Sequence, residues 1–276
     1  MDIAPQDAAP PPPVPPLPAE PVPGGTPLVI PEPIEHYLGR TGYWSSSRLR
    51  RLARGESPDA SWLPYPGPSM GEALHAFLLE PERFAQEYFR PRAVAQGAVM
   101  EGTTPPEERI WMDAKQGEAL DWALAAVQRY ARAPLARWLA TGTKEYSIYW
   151  ASEDGLRWKA RPDCFTEEIV LDVKSVGDAR PNRFARLRRQ RGYDVQAALY
   201  VEAVERVTGR RPRFAYLSIE LIHPRALWLH ELSDEDLAAA RAQIEALRPL
   251  LGLDGRPLAT APSEVAAQAP GKDGTA

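Results

Sequence analysis

Cysteine is almost absent from this chain of 276 residues, in which Cys164 is the only one. A single cysteine cannot build an internal disulfide framework. It also argues against an iron–sulfur cluster or a zinc site made of several cysteines. This usage is typical of a protein that works in a reducing cytosol, so we expect a cytoplasmic location.

Long apolar runs are missing as well. No stretch approaches the ~20 consecutive apolar residues that a membrane-spanning helix requires, so we expect no membrane partner. The N-terminus has neither the basic start nor the apolar segment of a secretory signal. The hydrophobic content of 44% is nevertheless sufficient for the core of one domain of about 200 residues with extensions.

Lysine is scarce, with five lysines among 33 basic residues. One of them, Lys174, lies two positions after Asp172, at the end of the apolar run Ile169-Val170-Leu171. An arginine stays protonated, whereas a lysine ammonium is compact and its pKa responds to its surroundings. A lysine in this place therefore indicates a chemical role rather than a general preference for positive charge.

Composition divides the chain into three parts. Residues 1–34 are rich in proline and alanine and are predicted to be a disordered tail, partly in polyproline II. Residues 35–255 are predicted to form one folded domain. Residues 256–276 are again rich in alanine, proline and glycine and are predicted to be a disordered end.

The folded part is predicted to mix helices and strands. Helices are expected at 47–54, after a capping box of Ser69 and Glu72, from Pro81, over about 116–139, over about 193–208, and from Ser233 to about 250. Strands are expected at 145–152, 156–165 and 169–176, as an antiparallel meander, and then at 214–222 and 226–232.

The predicted meander brings carboxylates together. Asp172 and Lys174 share one face of their strand because side chains two apart point the same way. Asp163, near the end of the adjacent predicted strand, can reach the same place. Carboxylate oxygens favour Mg²⁺ or Mn²⁺ over zinc. The pattern predicts a metal site and a metal-dependent phosphodiesterase; an ordinary exposed strand face is the alternative.

Basic residues cluster after this site although the net charge is −4. Between Arg180 and Arg213 there are ten arginines and three acidic residues, a local balance of +7. Such a cluster is suited to a phosphate backbone, and a solvated, salt-bridged helix face is the alternative. The arginines predicted to bind DNA are Arg161, Arg183, Arg186, Arg188, Arg189 and Arg191.

Gln196 and Tyr200 lie four apart on the helix after the meander, with Tyr193 three before Gln196, so all three share one face. The whole order, αβββαβ with Asp163, then Asp172-Val173-Lys174, then this helix, resembles the PD-(D/E)XK nuclease superfamily. Within it the chain is most similar to the RecB-like exonucleases of the exodeoxyribonuclease VIII type found in phages and prophages. The likeness is carried by residues 71–81, 161–163, 171–175 and 192–200, and spans about 43–232.

The resemblance implies an α/β fold with a restriction-endonuclease-like core, in which helices flank a central mixed sheet. It implies a Mg²⁺ cofactor, with Mn²⁺ as a substitute, held by Asp163, Asp172, the carbonyl of Val173, His75 and, as in some relatives, Glu145. The implied catalytic residues are Lys174, Asp172, Asp163, Gln196 and Tyr200.

The implied activity is exonucleolytic hydrolysis of linear double-stranded DNA in phage-type recombination or DNA repair. A single-strand annealing protein is the implied partner, and a ring-shaped homo-oligomer the implied assembly. Three alternatives stay open: an endonuclease of the same fold, a non-catalytic DNA-binding module, and an adaptor whose working part is the proline-rich segment.

Overall fold

The structure is a computed structural model that describes residues 14–59, 69–90, 109–130, 132–222 and 224–258. Residues 1–13 of the predicted N-terminal tail and residues 259–276 of the predicted C-terminal tail lie outside these ranges. In the part described here, no helix is both long and apolar enough to cross a membrane.

The helices in chain order are α1 (Ile34–Gly39), α2 (Ser46–Ala53), α3 (Met70–Leu79), α4 (Pro81–Glu87), α5 (Ala114–Gln128), α6 (Leu135–Thr141), α7 (Pro181–Arg191), α8 (Tyr193–Thr208) and α9 (Asp234–Leu247), followed by a short 3₁₀ helix at Arg248–Leu250. The strands are β1 (Leu28–Pro31), β2 (Tyr88–Phe89), β3 (Ile110–Trp111), β4 (Thr143–Lys144), β5 (Tyr146–Ala151), β6 (Arg157–Ala160), β7 (Cys164–Phe165), β8 (Ile169–Ser175), β9 (Arg213–Glu220) and β10 (Ala226–Glu231).

The central sheet has five strands in the order β10-β9-β8-β7-β4. β8 and β9 are parallel, and the other neighbours are antiparallel, so the sheet is mixed. The parallel pair is joined by α7 and α8, as a parallel connection requires. The predicted fold class, a mixed sheet flanked by helices, is confirmed.

The two faces of β8 carry different helices. Ile169, Leu171 and Val173 pack in a core with side chains of α3, α5 and α6. Val170 packs in the other core, which contains α8 and α9. Because side chains alternate along a strand, Asp172 and Lys174 lie on the same side as Val170, facing α8.

A second sheet contains β1, β5 and β6. β1 pairs antiparallel with β5, from Leu28 opposite Tyr149 to Pro31 opposite Tyr146. β1 thus lies within residues 1–34, because Leu28-Val29-Ile30 is an apolar, partly β-branched segment that extends a sheet. Backbone contacts to the fold also continue past residue 255, the predicted end of the folded domain, since Leu258 N donates to Leu250 O at 2.8 Å.

The structure has two shorter elements in place of each of two long elements that the sequence predicts. The predicted strand at 156–165 becomes β6 in the second sheet and β7 in the central sheet, with Arg161–Asp163 passing between them. The predicted helix at 116–139 becomes α5 and α6, with Pro134 at the start of α6. Proline is disfavoured inside a helix because it lacks an N–H, so one continuous helix through Pro134 is not expected. The capping box of Ser69 and Glu72 is confirmed.

Candidate metal centre

Two acidic residues lie where the chain passes between the two sheets. Glu145 joins β4 to β5 and Asp163 joins β6 to β7, and Glu145 N donates to Asp163 O at 3.2 Å. His75 reaches them from α3, with Nδ1 3.7 Å from Glu145 Oε1 and 3.6 Å from Asp163 Oδ2. The three ligand atoms all lie within 4.8 Å of one another. The structure thus brings together three of the five predicted metal ligands.

The backbone of Val173 fixes this group from β8. Val173 N donates to Asp163 Oδ2 at 2.6 Å, and Val173 O bonds His75 Nε2 at 2.8 Å. A carbonyl oxygen only accepts, so Nε2 carries the proton and Nδ1 faces the two carboxylates. The carbonyl predicted to bind the metal is here the partner of His75.

The donor set of one imidazole and two carboxylates could hold a divalent cation. Two ligands that each lie about 2.1 Å from Mg²⁺ are about 3 Å apart at right angles and about 4 Å apart when opposite. The separations of 3.6 and 3.7 Å between His75 Nδ1 and the carboxylate oxygens lie between these two values, so small side-chain shifts would bring the three ligands onto one ion. The two carboxylates suit Mg²⁺ or Mn²⁺, whereas the imidazole is a ligand more typical of zinc, iron or nickel.

The electrostatics of the group also favour a cation. Burial and then the neighbouring Asp172 raise the pKa of Asp163 to about 7. Burial by itself would lower the pKa of His75, but Asp163 and Glu145 outweigh it and raise that pKa to about 9. Positive charge is therefore stabilised at the point that His75 Nδ1 shares with the carboxylates.

Asp172 belongs to a second group of side chains on the α8 side of β8. Its side chain is fully buried. Oδ1 accepts a hydrogen bond from Gln196 Nε2 at 2.9 Å, and Oδ2 forms an ion pair with Lys174 Nζ. Gln196 Nε2 also donates to Tyr200 Oη at 3.1 Å. Asp172 and Lys174 share one face of β8, as predicted. The burial of Asp172 excludes the alternative of an exposed strand face.

Lys174 keeps its charge in this setting. Burial would lower the pKa of Lys174, but the carboxylates of Asp172 and Asp163 outweigh burial and raise it above the usual value. The ammonium also lies 5.0 Å from the centre of the Tyr193 ring, a cation–π contact. Lys174 is therefore suited to stabilise or orient negative charge and does not act as a base in this state.

The predicted DNA-binding arginines separate into two sets. Arg183, Arg186, Arg189 and Arg191 are exposed on α7. Arg188 instead pairs with Asp194 at 2.9 Å and Asp236 at 3.1 Å, with its side chain 12% exposed. Arg161 is buried and donates from Nε to Glu145 Oε2 at 2.9 Å. Both guanidinium groups are therefore bound by carboxylates of this chain, which leaves Arg183, Arg186, Arg189 and Arg191 as the exposed members of the predicted set.

Sequence reasoning missed what holds Glu145. Arg161 and Glu145 are 16 residues apart, and no periodic pattern relates them, because each stands at a passage between sheets rather than inside one element. The Arg-Pro-Asp order at 161–163 was the available signal, since it places a cation beside a candidate ligand.

Comparisons with known proteins agree with the fold. Residues 64–251 match a family described as a PDDEXK-like domain of unknown function (DUF3799). A crystal structure described as "Putative exonuclease", from Eubacterium rectale, is similar over 80% of this chain and 85% of that chain, with a TM-score of 0.56 and 15% sequence identity. At that identity the likeness concerns the fold alone. The search of curated proteins finds no match.

Proposed function

This chain belongs to the family of PDDEXK-like domains, and from that membership we propose that it is a divalent-metal-dependent nuclease that hydrolyses DNA. The observation that carries the proposal is the convergence of His75, Glu145 and Asp163 on one point beside the Asp172–Lys174 pair. Three ligand atoms and one fixed ammonium are the components that phosphodiester hydrolysis with a metal needs.

His75, Glu145 and Asp163 would hold the cation, with Asp172 next to them. A bound divalent cation supplies Lewis acidity toward the scissile phosphate and lowers the pKa of a coordinated water. The protein supplies the fixed geometry, because the backbone of Val173 binds both Asp163 and His75 and leaves them little freedom.

Lys174 would orient the attacking water and offset the charge that develops on the phosphate. Its ammonium is fixed by Asp172, whose other oxygen is bound by Gln196. A charge that is already oriented before the reaction needs no reorganisation during it, which is the main source of electrostatic stabilisation in enzymes. Gln196 serves this purpose by holding Asp172 in place, and Tyr200 contacts Gln196.

The exposed arginines of α7 would bind the DNA backbone. Arg186, Arg189 and Arg191 have no ion-pair partner among the described residues, and Arg183 lies 3.8 Å from Asp178. Guanidinium groups on one helix bind phosphates without reading base sequence. The helix ends at Arg191, and its cap Gly192 directly precedes Tyr193, whose ring contacts Lys174, so this surface adjoins the candidate site.

We further propose an exonuclease that degrades linear double-stranded DNA from its ends, in the manner of the exodeoxyribonuclease VIII type. The motifs at 71–81, 161–163, 171–175 and 192–200 support this finer assignment by resemblance. A role in recombination or repair, a single-strand annealing partner, a ring-shaped homo-oligomer and a cytoplasmic location are proposed on the same basis.

The test is incubation of the purified protein with linear duplex DNA labelled at one 5′ or one 3′ end, beside closed circular DNA, with Mg²⁺, Mn²⁺ or EDTA. We expect metal-dependent release of nucleotides from linear ends only, and none from the Asp163→Asn variant. The label released first gives the polarity.

Cleavage of closed circles without attack on ends would replace the exonuclease by an endonuclease of the same fold. No hydrolysis of either DNA with either metal would contradict the catalytic proposal and favour a binding or adaptor role.

A further inference from the structure

The backbone of Glu145 is left-handed, with φ of 54°. Within the described ranges it is the one non-glycine residue with a positive φ. L-amino acids rarely adopt this region because Cβ approaches the following carbonyl oxygen. Such a conformation persists where surrounding contacts hold it, and it is often found at functional sites.

Arg161 supplies the contact that holds the side chain of Glu145. Its Nε donates to Glu145 Oε2 at 2.9 Å, which leaves Oε1 as the oxygen that faces His75 Nδ1 at 3.7 Å. Arg161 therefore binds one oxygen of the Glu145 carboxylate and leaves the other directed at the candidate metal site. Arg161 is 7% exposed, so its guanidinium is not presented to a large ligand in solvent.

Arg161 is itself anchored on its other side. Nη1 donates to Ser147 Oγ at 3.1 Å and to the backbone carbonyl of Glu32 at 2.8 Å. Glu32 directly follows β1, in a segment that precedes the family-matched residues 64–251. The N-terminal strand thus reaches the candidate metal centre through one guanidinium.

We propose that Arg161 is a positioning residue that holds Glu145 for metal binding. The inference rests on the proposed function, since it assigns a role within the same metal site. It replaces the prediction that Arg161 contacts DNA, because all the guanidinium contacts described are with Glu145, Ser147 and Glu32.

Charge and geometry make opposite predictions for the loss of Arg161. Removal of a nearby positive charge would strengthen the binding of a cation by simple Coulomb attraction. Loss of the contact that orients Glu145 would weaken it, as happens when groups that orient metal ligands are removed. The sign of the change in metal affinity therefore separates a positioning role from a purely electrostatic one.

The experiment compares the full-length wild type with the Arg161→Gln and Arg161→Lys variants. Binding of Mn²⁺ is measured by calorimetry without DNA, and kcat and KM are measured on linear duplex DNA. In both variants we expect the Kd for Mn²⁺ to rise about 10- to 100-fold. We expect kcat to fall and KM for DNA to stay unchanged, with Arg161→Lys less affected because it keeps a donor and a charge.

Arg48→Gln is the matched control. Arg48 is also buried, at 6% exposure, and it binds the backbone carbonyls of Thr41, Tyr43 and Gly255 away from Glu145. We expect this variant to lower Tm and leave the Kd for Mn²⁺ unchanged. If Arg161→Gln does not fold, Ser147→Ala removes only one anchor of Arg161 and should weaken Mn²⁺ binding about 2- to 10-fold.

Unchanged or tighter Mn²⁺ binding by Arg161→Gln would overturn the positioning role while leaving the metal site intact. A raised KM for DNA with normal Mn²⁺ affinity would overturn it in favour of DNA contact. A wild type that binds no Mn²⁺ would instead contradict the proposed metal site, and the positioning role with it.

Discussion

Gln196 donates a hydrogen bond of 2.9 Å to Asp172 and, from the same nitrogen, one of 3.1 Å to the hydroxyl of Tyr200. The first contact joins α8 to the central strand β8 inside the core, where Asp172 is fully buried. Among the described residues the other oxygen, Oδ2, has no hydrogen-bond partner, and its charge is compensated by the ion pair with Lys174. The helix therefore orients the ion pair on which the proposed chemistry depends.

Gln196→Ala should lower nuclease activity about 10- to 100-fold, because Asp172 loses the group that orients it. The free energy of unfolding should fall by about 1–3 kcal/mol, the usual cost of an unsatisfied buried acceptor. Tyr200→Phe is the matched control, since it removes only the second contact of Gln196. DNA hydrolysis assays and denaturant titrations check both; an equal loss of activity in the two variants would contradict the assignment.

Asp172→Asn and Lys174→Gln should each abolish measurable hydrolysis, with losses of at least about 100-fold. Each single change leaves its partner charged and uncompensated, so unfolding free energy should fall by about 3–5 kcal/mol. The double variant carries neither charge and should regain much of that stability while staying inactive. Thermal melts and end-labelled DNA assays separate the two effects, and an active double variant would disprove the catalytic role.

Arg186→Gln combined with Arg189→Gln should weaken DNA binding and reduce its dependence on salt. Each lost phosphate contact removes about 0.9 from the slope of log K against log salt concentration, so the pair should remove about 1.8. Arg137→Gln with Arg210→Gln changes net charge equally at residues paired with Glu168 and Glu167, and should leave the slope unchanged. Fluorescence anisotropy titrations of DNA at several salt concentrations measure this slope. Equal slopes in both double variants would place the DNA elsewhere.

Lys159 should make stability rise with pH. It is 3% exposed and donates to Tyr37 O and Arg40 O, and burial lowers its pKa to about 7. Between pH 7 and the unfolded value of 10.5, the unfolded chain binds a proton that the folded chain lacks. The free energy of unfolding therefore increases with pH in that range, by up to about 1.4 kcal/mol per unit.

Lys159→Met removes this titration. The free energy of unfolding of the wild type should therefore rise relative to that of the variant between pH 7 and pH 9. Denaturant titrations at pH 6.5, 8 and 9 measure the difference. Lys115→Met, which removes an exposed lysine, is the control. A difference that does not change with pH would mean that Lys159 stays protonated in the fold.

The sequence by itself determined the local elements and the short-range geometry of the site. The apolar run Ile169-Val170-Leu171 made β8 a central strand, and the two-residue spacing put Asp172 and Lys174 on one face. The four-residue spacing placed Gln196 and Tyr200 together on α8. These relationships follow from the periods of strands and helices, which depend only on neighbouring residues.

Tertiary structure decided everything that depended on contacts between distant segments. Only the fold divides the chain at Arg161–Asp163 and at Glu145, so that His75 from α3 meets both carboxylates. Only the fold turns Arg161 inward to Glu145 and the carbonyl of Glu32, and gives the N-terminal segment a strand partner in β5. The packing of the two sheets determines which side chains from distant segments meet. The periodicity within one segment does not predict these contacts.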